Sequence, residues 1–373
     1  MKVLISGTAA AGGWPVPDCG CASCARLAPG HRRPTDVVLD PARVPCAVAV
    51  PADPVRLPPT GPLPPGYQVS TGPDGLILTA PGGERILYAA PLPSRSGARD
   101  GQPWTPARAE GSRDPERAEA ERTAFDLVLM DVLDRPERLG NLRRRGVIGE
   151  RTHVVAVDID HRVATEAELT RRAALWGVRA VPDGTVLDTG ESAPARTARP
   201  RRTLLLGGTR SGKSAEAELR LAAEPEVLYV ATGPSGDDDT EWVRRVRAHR
   251  ERRPAHWDTA ETVDLAGLLR SAEVPLLIDG LGTWIAAVFD GCDAWSGGGH
   301  REVTARCDEL VAAWRQTRVP VVAVSDEVGL GVVPATSSGR MFRDALGRLN
   351  QRLALESEDV ALVVAGRVLP LPV

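Results

Sequence analysis

Apolar residues in the first half of this chain come in short runs, at residues 3–5, 37–39, 76–78, 86–88, 127–130 and 154–157, several of them separated by Gly or Pro. Runs of three or four apolar residues bounded by turn formers predict strands. A helical spacing follows over residues 166–176, so this half reads as a mixed sheet with helices packed on it. In the second half the runs at 203–206, 227–230, 276–278, 321–324 and 360–364 alternate with helix-favouring stretches. That alternation predicts an α/β fold on a mostly parallel sheet.

Two Pro/Gly/Arg-rich tracts interrupt the pattern. The tract at 90–122 offers little apolar surface and reads as an exposed insertion, while the tract beginning ESAPARTARP reads as a linker. A length of 373 residues exceeds what one core organises. We therefore divide the chain into a domain at 1–190, a linker at 191–201 and a second domain at 202–373.

Composition narrows the class. Hydrophobic residues are 42% and charged residues 25%, ordinary globular values, and a net charge of -3 gives no electrostatic footprint for nucleic acid. No apolar run reaches the roughly 18 residues that cross a bilayer, and glycines follow within a few residues of the start, so neither a membrane span nor a signal core is expected. A cytoplasmic enzyme is the expectation. Of 46 Lys plus Arg, only Lys2 and Lys213 are lysines.

Lys213 falls inside Gly207-Gly208-Thr209-Arg210-Ser211-Gly212-Lys213-Ser214, which fits G-x-x-x-x-G-K-[ST] directly after the apolar run Leu204-Leu205-Leu206 and before AEAELRLAA. Strand, glycine-rich loop and helix are the context this phosphate-binding motif needs. Glycines let backbone N–H groups face phosphates, Lys213 can reach β and γ oxygens, and Ser214 can hold Mg2+. A compact ammonium is not interchangeable with arginine there. Leu276-Leu277-Ile278-Asp279 is an apolar strand ending in a carboxylate, where P-loop enzymes keep a metal-supporting acid, although acids at strand ends are also plain turn formers. His249 continues the three-residue step of Val243 and Val246 in an arginine-rich helical pattern over 241–254. A neutral imidazole there is a competent nucleophile toward an α-phosphate; the same pattern also reads as a solvated basic helix with an incidental histidine.

GGTRSGKS, LYVATG, HRERRPAHW, LLIDGLGTW, DEVGLGVVPATSSGRMFRDALGRLNQRLA and LVVAGRVLPL occur in one order from about residue 202 onward. This series resembles the bifunctional adenosylcobinamide kinase and adenosylcobinamide-phosphate guanylyltransferase family. The resemblance implies a P-loop NTPase-type sheet. It implies phosphorylation of adenosylcobinamide with ATP or GTP, then transfer of GMP from GTP through a guanylyl-histidine. It places the nucleophile at His249 and the nucleotide loop at Gly207 to Ser214. It adds nucleotide contacts at Ala231, Thr232, Gly233, Arg250, Glu251, Arg252 and Arg253, and polar contacts at Glu261 and Asp279. It also implies Mg2+ and a homo-oligomer. Two departures stand out: the family's NEVG reads Asp326-Glu327-Val328-Gly329 here, and its CLT reads Gly280-Leu281-Gly282.

In the first domain, Cys19, Cys21 and Cys24 form C-x-C-x-x-C. In a reducing compartment clustered thiols suggest metal rather than disulfides. The opening GTAAAGGWPVPDCGCASC resembles metallo-β-lactamase-fold phosphodiesterases, which implies an α+β domain and a structural Zn2+ completed by a distant histidine, here His161, with Cys46 or His31 as substitutes and a metal-free reading also open. His153 reads as a loop histidine. An HxHxDH centre cannot be built from His31, His153 and His161, and Asp158 stands where relatives place a metal-binding histidine, so the domain reads as a shortened, degenerate and catalytically silent relative. Two other functions remain: a GTP-sensing regulatory P-loop protein, and a P-loop kinase for another small hydroxyl substrate.

Overall fold

Strand alternation decides which side of each sheet a residue faces, and it sorts the apolar runs of the described residues into separate cores. The computed structural model describes residues 1–39, 55–57, 63, 65–89, 124–196, 199–233, 253–296 and 298–372. The chain forms two compact units, Met1–Thr197 and Ala198–Val373.

The described residues of the first unit form two sheets rather than the one expected. β1 (Lys2–Gly7), β2 (Asp36–Leu39), β3 (Val55–Leu57) and β9 (Thr185–Asp188) form an antiparallel sheet in the order β3-β2-β1-β9. β4 (Gln68–Gly72), β5 (Gly75–Thr79), β6 (Arg85–Ala89), β7 (Leu127–Met130) and β8 (His153–Ala156) form the second, antiparallel up to β6 and parallel from β6 to β8. Val3, Ile5, Val37, Leu39 and Leu187 of the first sheet share one apolar cluster with Leu78, Ile86, Leu127, Leu129 and Val155 of the second. The apolar face of each sheet is thereby buried against the other. All four residues of β7 are buried, as expected for a parallel strand covered on both faces.

Among the described residues this unit also contains helix α1 (Glu137–Arg144) and helix α2 (Glu166–Trp176). α2 occupies the expected residues, because its ends are written locally. The Thr165 hydroxyl accepts from the Glu168 N–H at 3.1 Å, and Gly177 at φ +61° ends the helix in the left-handed region that a side chain would disfavour. The tract at 90–122 lies outside the described residues.

The second unit is built on a seven-stranded sheet in the order β12-β11-β13-β14-β10-β15-β16. These are β10 (Arg202–Gly207), β11 (Leu228–Ala231), β12 (Asp258–Glu261), β13 (Leu276–Asp279), β14 (Val321–Asp326), β15 (Asp359–Val364) and β16 (Arg367–Pro370). All pairings are parallel except β15 with β16. Leu204, Val230, Leu276, Ile278, Val321 and Ala323 face one core, where they meet α4 (Leu265–Ser271), α5 (Leu281–Gly291), α6 (His300–Gln316) and α7 (Ser337–Leu355). Leu205, Tyr229, Leu277, Val322 and Val324 face the opposite core with Ala217 and Leu221 of α3 (Lys213–Leu221). The α/β fold expected for this half is present, with β11 beginning one residue later than the apolar run. No helix among the described residues is long and apolar enough to cross a membrane.

Candidate active site

Because β12, β11, β13, β14 and β10 run in the same direction, their last residues, Glu261, Ala231, Asp279, Asp326 and Gly207, lie at one edge of the sheet. The carboxyl edge of an open parallel sheet is where such folds bind ligands. Gly207 ends β10, Gly208, Thr209, Arg210, Ser211 and Gly212 form the turn into α3, and Lys213 and Ser214 are the first residues of the helix. The amides of a first helical turn have no intrahelical acceptor, so this end favours anions. Gly207 admits no side chain: a Cβ there would lie 2.6 Å from the Val363 carbonyl oxygen and 2.5 Å from Ser211 Oγ.

Asp279 is held from two sides. Ser214 Oγ donates to its Oδ1 at 2.9 Å, and the Tyr229 hydroxyl donates to its Oδ2 at 2.5 Å. Tyr229 is buried, and burial, followed by the Asp279 charge, pushes its phenol well above the ordinary range, so it remains a neutral donor. The Arg253 guanidinium lies 3.5 Å from the centre of the Tyr229 ring and donates to Thr259 Oγ1 at 3.3 Å. Lys213 Nζ donates to the Gly208 carbonyl at 3.1 Å and pairs with Asp326 Oδ1 at 2.8 Å.

Ala231, Thr232 and Gly233 lead away from the end of β11. Thr232 is buried; its hydroxyl lies 2.7 Å from that of Thr283 and 2.6 Å from the Gly280 carbonyl oxygen, so the side chain is engaged within the protein. Glu261 is exposed at the end of β12. His249, Arg250, Glu251 and Arg252 lie outside the described residues. Among the described residues Tyr229, Thr283 and Asn350 also belong to the surroundings, without having been singled out from the sequence. Asn350 was legible as a polar residue on the apolar face of α7, where it is buried and lies 2.6 Å from Ser325 Oγ.

The family described as cobinamide kinase / cobinamide phosphate guanyltransferase matches residues 203–371. The Pseudomonas aeruginosa bifunctional adenosylcobalamin biosynthesis protein CobP is 44% identical over 177 residues, 46% of this chain and 96% of that protein. The Salmonella typhimurium bifunctional adenosylcobalamin biosynthesis protein CobU is 36% identical over 174 residues, 44% of this chain and 95% of that protein.

The chain belongs to the cobinamide kinase / cobinamide phosphate guanyltransferase family.

The family match begins after β10 has started, so the first unit lies outside it. There the structure brings Cys19, Cys21, Cys24 and His161 together, with their ligand atoms all within 4.8 Å of one another. His161 Nδ1 is 3.4 Å from Cys19 Sγ and 3.7 Å from Cys24 Sγ. Trp14 Nε1 donates to Ser23 Oγ at 3.0 Å, and Ser23 Oγ donates to the Val163 carbonyl at 2.7 Å, which ties the cysteine loop to the His161 loop. The Cys24 backbone N–H donates to Cys21 Sγ and lowers that thiol's pKa, favouring the thiolate that binds metal. His31 is engaged elsewhere, 2.7 Å from Glu166 Oε1, and Cys46 lies outside the described residues. His153 is not a loop residue as expected: it opens β8 and is buried, with Nε2 3.0 Å from the Glu191 carbonyl oxygen.

Proposed function

We propose that residues 202–373 carry both half-reactions of the family. The first phosphorylates the hydroxyl of adenosylcobinamide with ATP or GTP. The second transfers GMP from GTP to give adenosylcobinamide-GDP. The observation that carries the site assignment is the shared sheet edge at which Lys213 and Ser214 of α3 meet Asp279 of β13.

In the kinase step the substrate hydroxyl oxygen bonds to the γ-phosphorus and gives up its proton to solvent, the bond from γ-phosphorus to the bridging oxygen breaks, and a nucleoside diphosphate leaves. Lys213 places its ammonium against the phosphates, and the α3 N-terminus adds positive potential where charge accumulates. The Ser214 hydroxyl and Asp279 carboxylate are hard oxygen donors 2.9 Å apart and fit Mg2+, which when bound neutralises phosphate charge. In the second reaction a His249 ring nitrogen bonds to the α-phosphorus of GTP and pyrophosphate leaves. A phosphate oxygen of adenosylcobinamide phosphate then bonds to that phosphorus while the N–P bond breaks.

Incubation of the full chain with Mg2+ and α-labelled GTP, followed by acid and alkali treatment, tests this. An acid-labile, alkali-stable label that disappears in His249→Ala supports the phosphoramidate. No label on protein that binds GTP removes His249 from the chemistry and leaves a kinase or a regulatory binding protein.

For residues 1–190 we infer a shortened metallo-β-lactamase-like domain with a structural zinc and a structural or regulatory role. Two sheets sharing one core and a Cys3His set of tetrahedral zinc ligands support the reading.

A further inference from the structure

We infer that Asp326 is a positioning residue that holds Lys213 when no nucleotide is bound, so that an incoming triphosphate must displace its carboxylate, and that Gly282 is the residue that makes room for this contact. The inference rests on the reading of Gly207 to Ser214 as the nucleotide loop.

The backbone around Asp326 leaves its side chain little choice. Asp326 lies beside Gly207 in the parallel register of β14 and β10, and the Glu327 N–H donates to the Gly207 carbonyl at 3.1 Å. From the other side Asn350 Nδ2 donates to the Asp326 carbonyl at 3.1 Å. The carboxylate then spans two neighbours. Oδ1 is 2.8 Å from Lys213 Nζ, and Oδ2 lies where a Cβ on residue 282 would approach within 2.5 Å.

Gly282 is the second residue of α5 and does not have the positive φ that demands glycine. A glycine in a helix is less favourable than alanine. The compensation visible here is space: without a Cβ, the Asp326 carboxylate rests against the first turn of α5, where negative charge is favoured, and still reaches Lys213. Asp326 and Gly282 lie in the two segments where the chain departs from the family's sequence pattern, and the fold brings them into contact.

The charge consequence is direct. Lys213 is largely enclosed, its side chain 13% exposed, and its ammonium is already matched by a carboxylate. Phosphate oxygens require the same ammonium, and a carboxylate and a phosphate cannot both approach it without mutual repulsion. Nucleotide binding therefore exchanges one ion pair for another instead of filling a free cation site.

The test measures the affinity of α,β-methylene GTP and β,γ-methylene ATP, whose bridging carbon blocks guanylyl and γ-phosphoryl transfer respectively, by calorimetry on the full chain and on Asp326→Asn, Gly282→Ala and the double variant, at fixed Mg2+. Asp326→Asn removes the competing charge and tightens binding about tenfold, the equivalent of about 1.4 kcal/mol. Gly282→Ala suits a helix and acts by pushing the carboxylate off Lys213, so it tightens binding in the same direction. The double variant binds no tighter than the better single one, a non-additivity that an unrelated structural effect at either site does not produce. Unchanged or weaker binding in Asp326→Asn, or full additivity of the two substitutions, overturns the inference. Binding is read here without turnover, so failure of the kinase and guanylyl-transfer assays sinks the proposed function and leaves this result standing, whereas a chain that binds neither nucleotide overturns both.

Discussion

Ser214 Oγ lies 2.9 Å from Asp279 Oδ1, joining the start of α3, which follows β10, to the end of β13, although the sheet inserts β14 between those strands. The first residues of α3 and the last residue of β13 are thus already in contact before any ligand arrives. Preorganised oxygens of this kind act without reorganisation at the moment of reaction.

Asp279→Asn keeps the shape and one acceptor for the Ser214 and Tyr229 hydroxyls while deleting the charge. Turnover in both half-reactions is expected to fall roughly 100-fold, in the range seen when one electrostatic contributor is removed. The requirement for Mg2+ should rise at the same time. Steady-state kinetics over a Mg2+ titration check this; undiminished kcat at ordinary Mg2+ removes Asp279 from the metal-supporting role.

Gly207→Ala forces a Cβ to within 2.6 Å of the Val363 carbonyl oxygen, a backbone atom that cannot turn aside. The strain falls on the turn that carries Gly208 to Gly212. Nucleotide affinity is expected to drop at least about tenfold, with stability lowered by about 1–3 kcal/mol as for other overpacked positions. Paired binding and denaturation measurements decide; a variant with normal affinity contradicts the assigned loop.

Zinc is expected at stoichiometric level in full-length chain purified reduced and without chelator. Cys24→Ser should lose it, and a strong chelator should lower the thermal stability of the wild-type chain, because metal affinity at such a site adds directly to folding. Elemental analysis gives the answer, and wild-type protein free of zinc refutes the assignment.

Asp158 carries a pH signature. Burial, followed by the Asp131 carboxylate, raises its pKa to about 6. The folded state therefore holds the proton more tightly than the unfolded chain does. The associated stability is present below about pH 4 and is lost as pH rises through about 6. Allowing for the residue's remaining exposure, the loss is about 1–2 kcal/mol. Asp158→Asn keeps an acceptor for one of the two hydroxyls, Tyr88 or Thr35, that donate to separate carboxylate oxygens, and Asn tolerates the φ of +54° at this position. It should stabilise the protein at pH 8 and do so much less at pH 5, by chemical denaturation at each pH. An equal gain at both pH values rules out the charge explanation.

Local grammar made much of the protein legible. The strand, loop and helix around Lys213 follow from consecutive residues, and α2 is bounded by its own Thr165 cap and Gly177. The apolar strands of both units also appear as runs. The strands that escaped notice, among them β4, β12 and β16, are largely exposed: they form because a neighbour offers backbone partners, and their side chains need carry little apolar signal.

What the sequence determined by itself was therefore the set of chemical groups and the local elements that carry them: a phosphate loop with one lysine, a strand ending in Asp279, three clustered cysteines. Which groups touch was decided by tertiary structure. Ser214 meets Asp279, Lys213 meets Asp326, Asp326 rests on Gly282, and Cys19 meets His161 across long stretches of chain. Backbone propensities and capping act over a few residues, whereas these contacts depend on sheet order and register, which come from burying whole faces at once and leave no trace in any single segment.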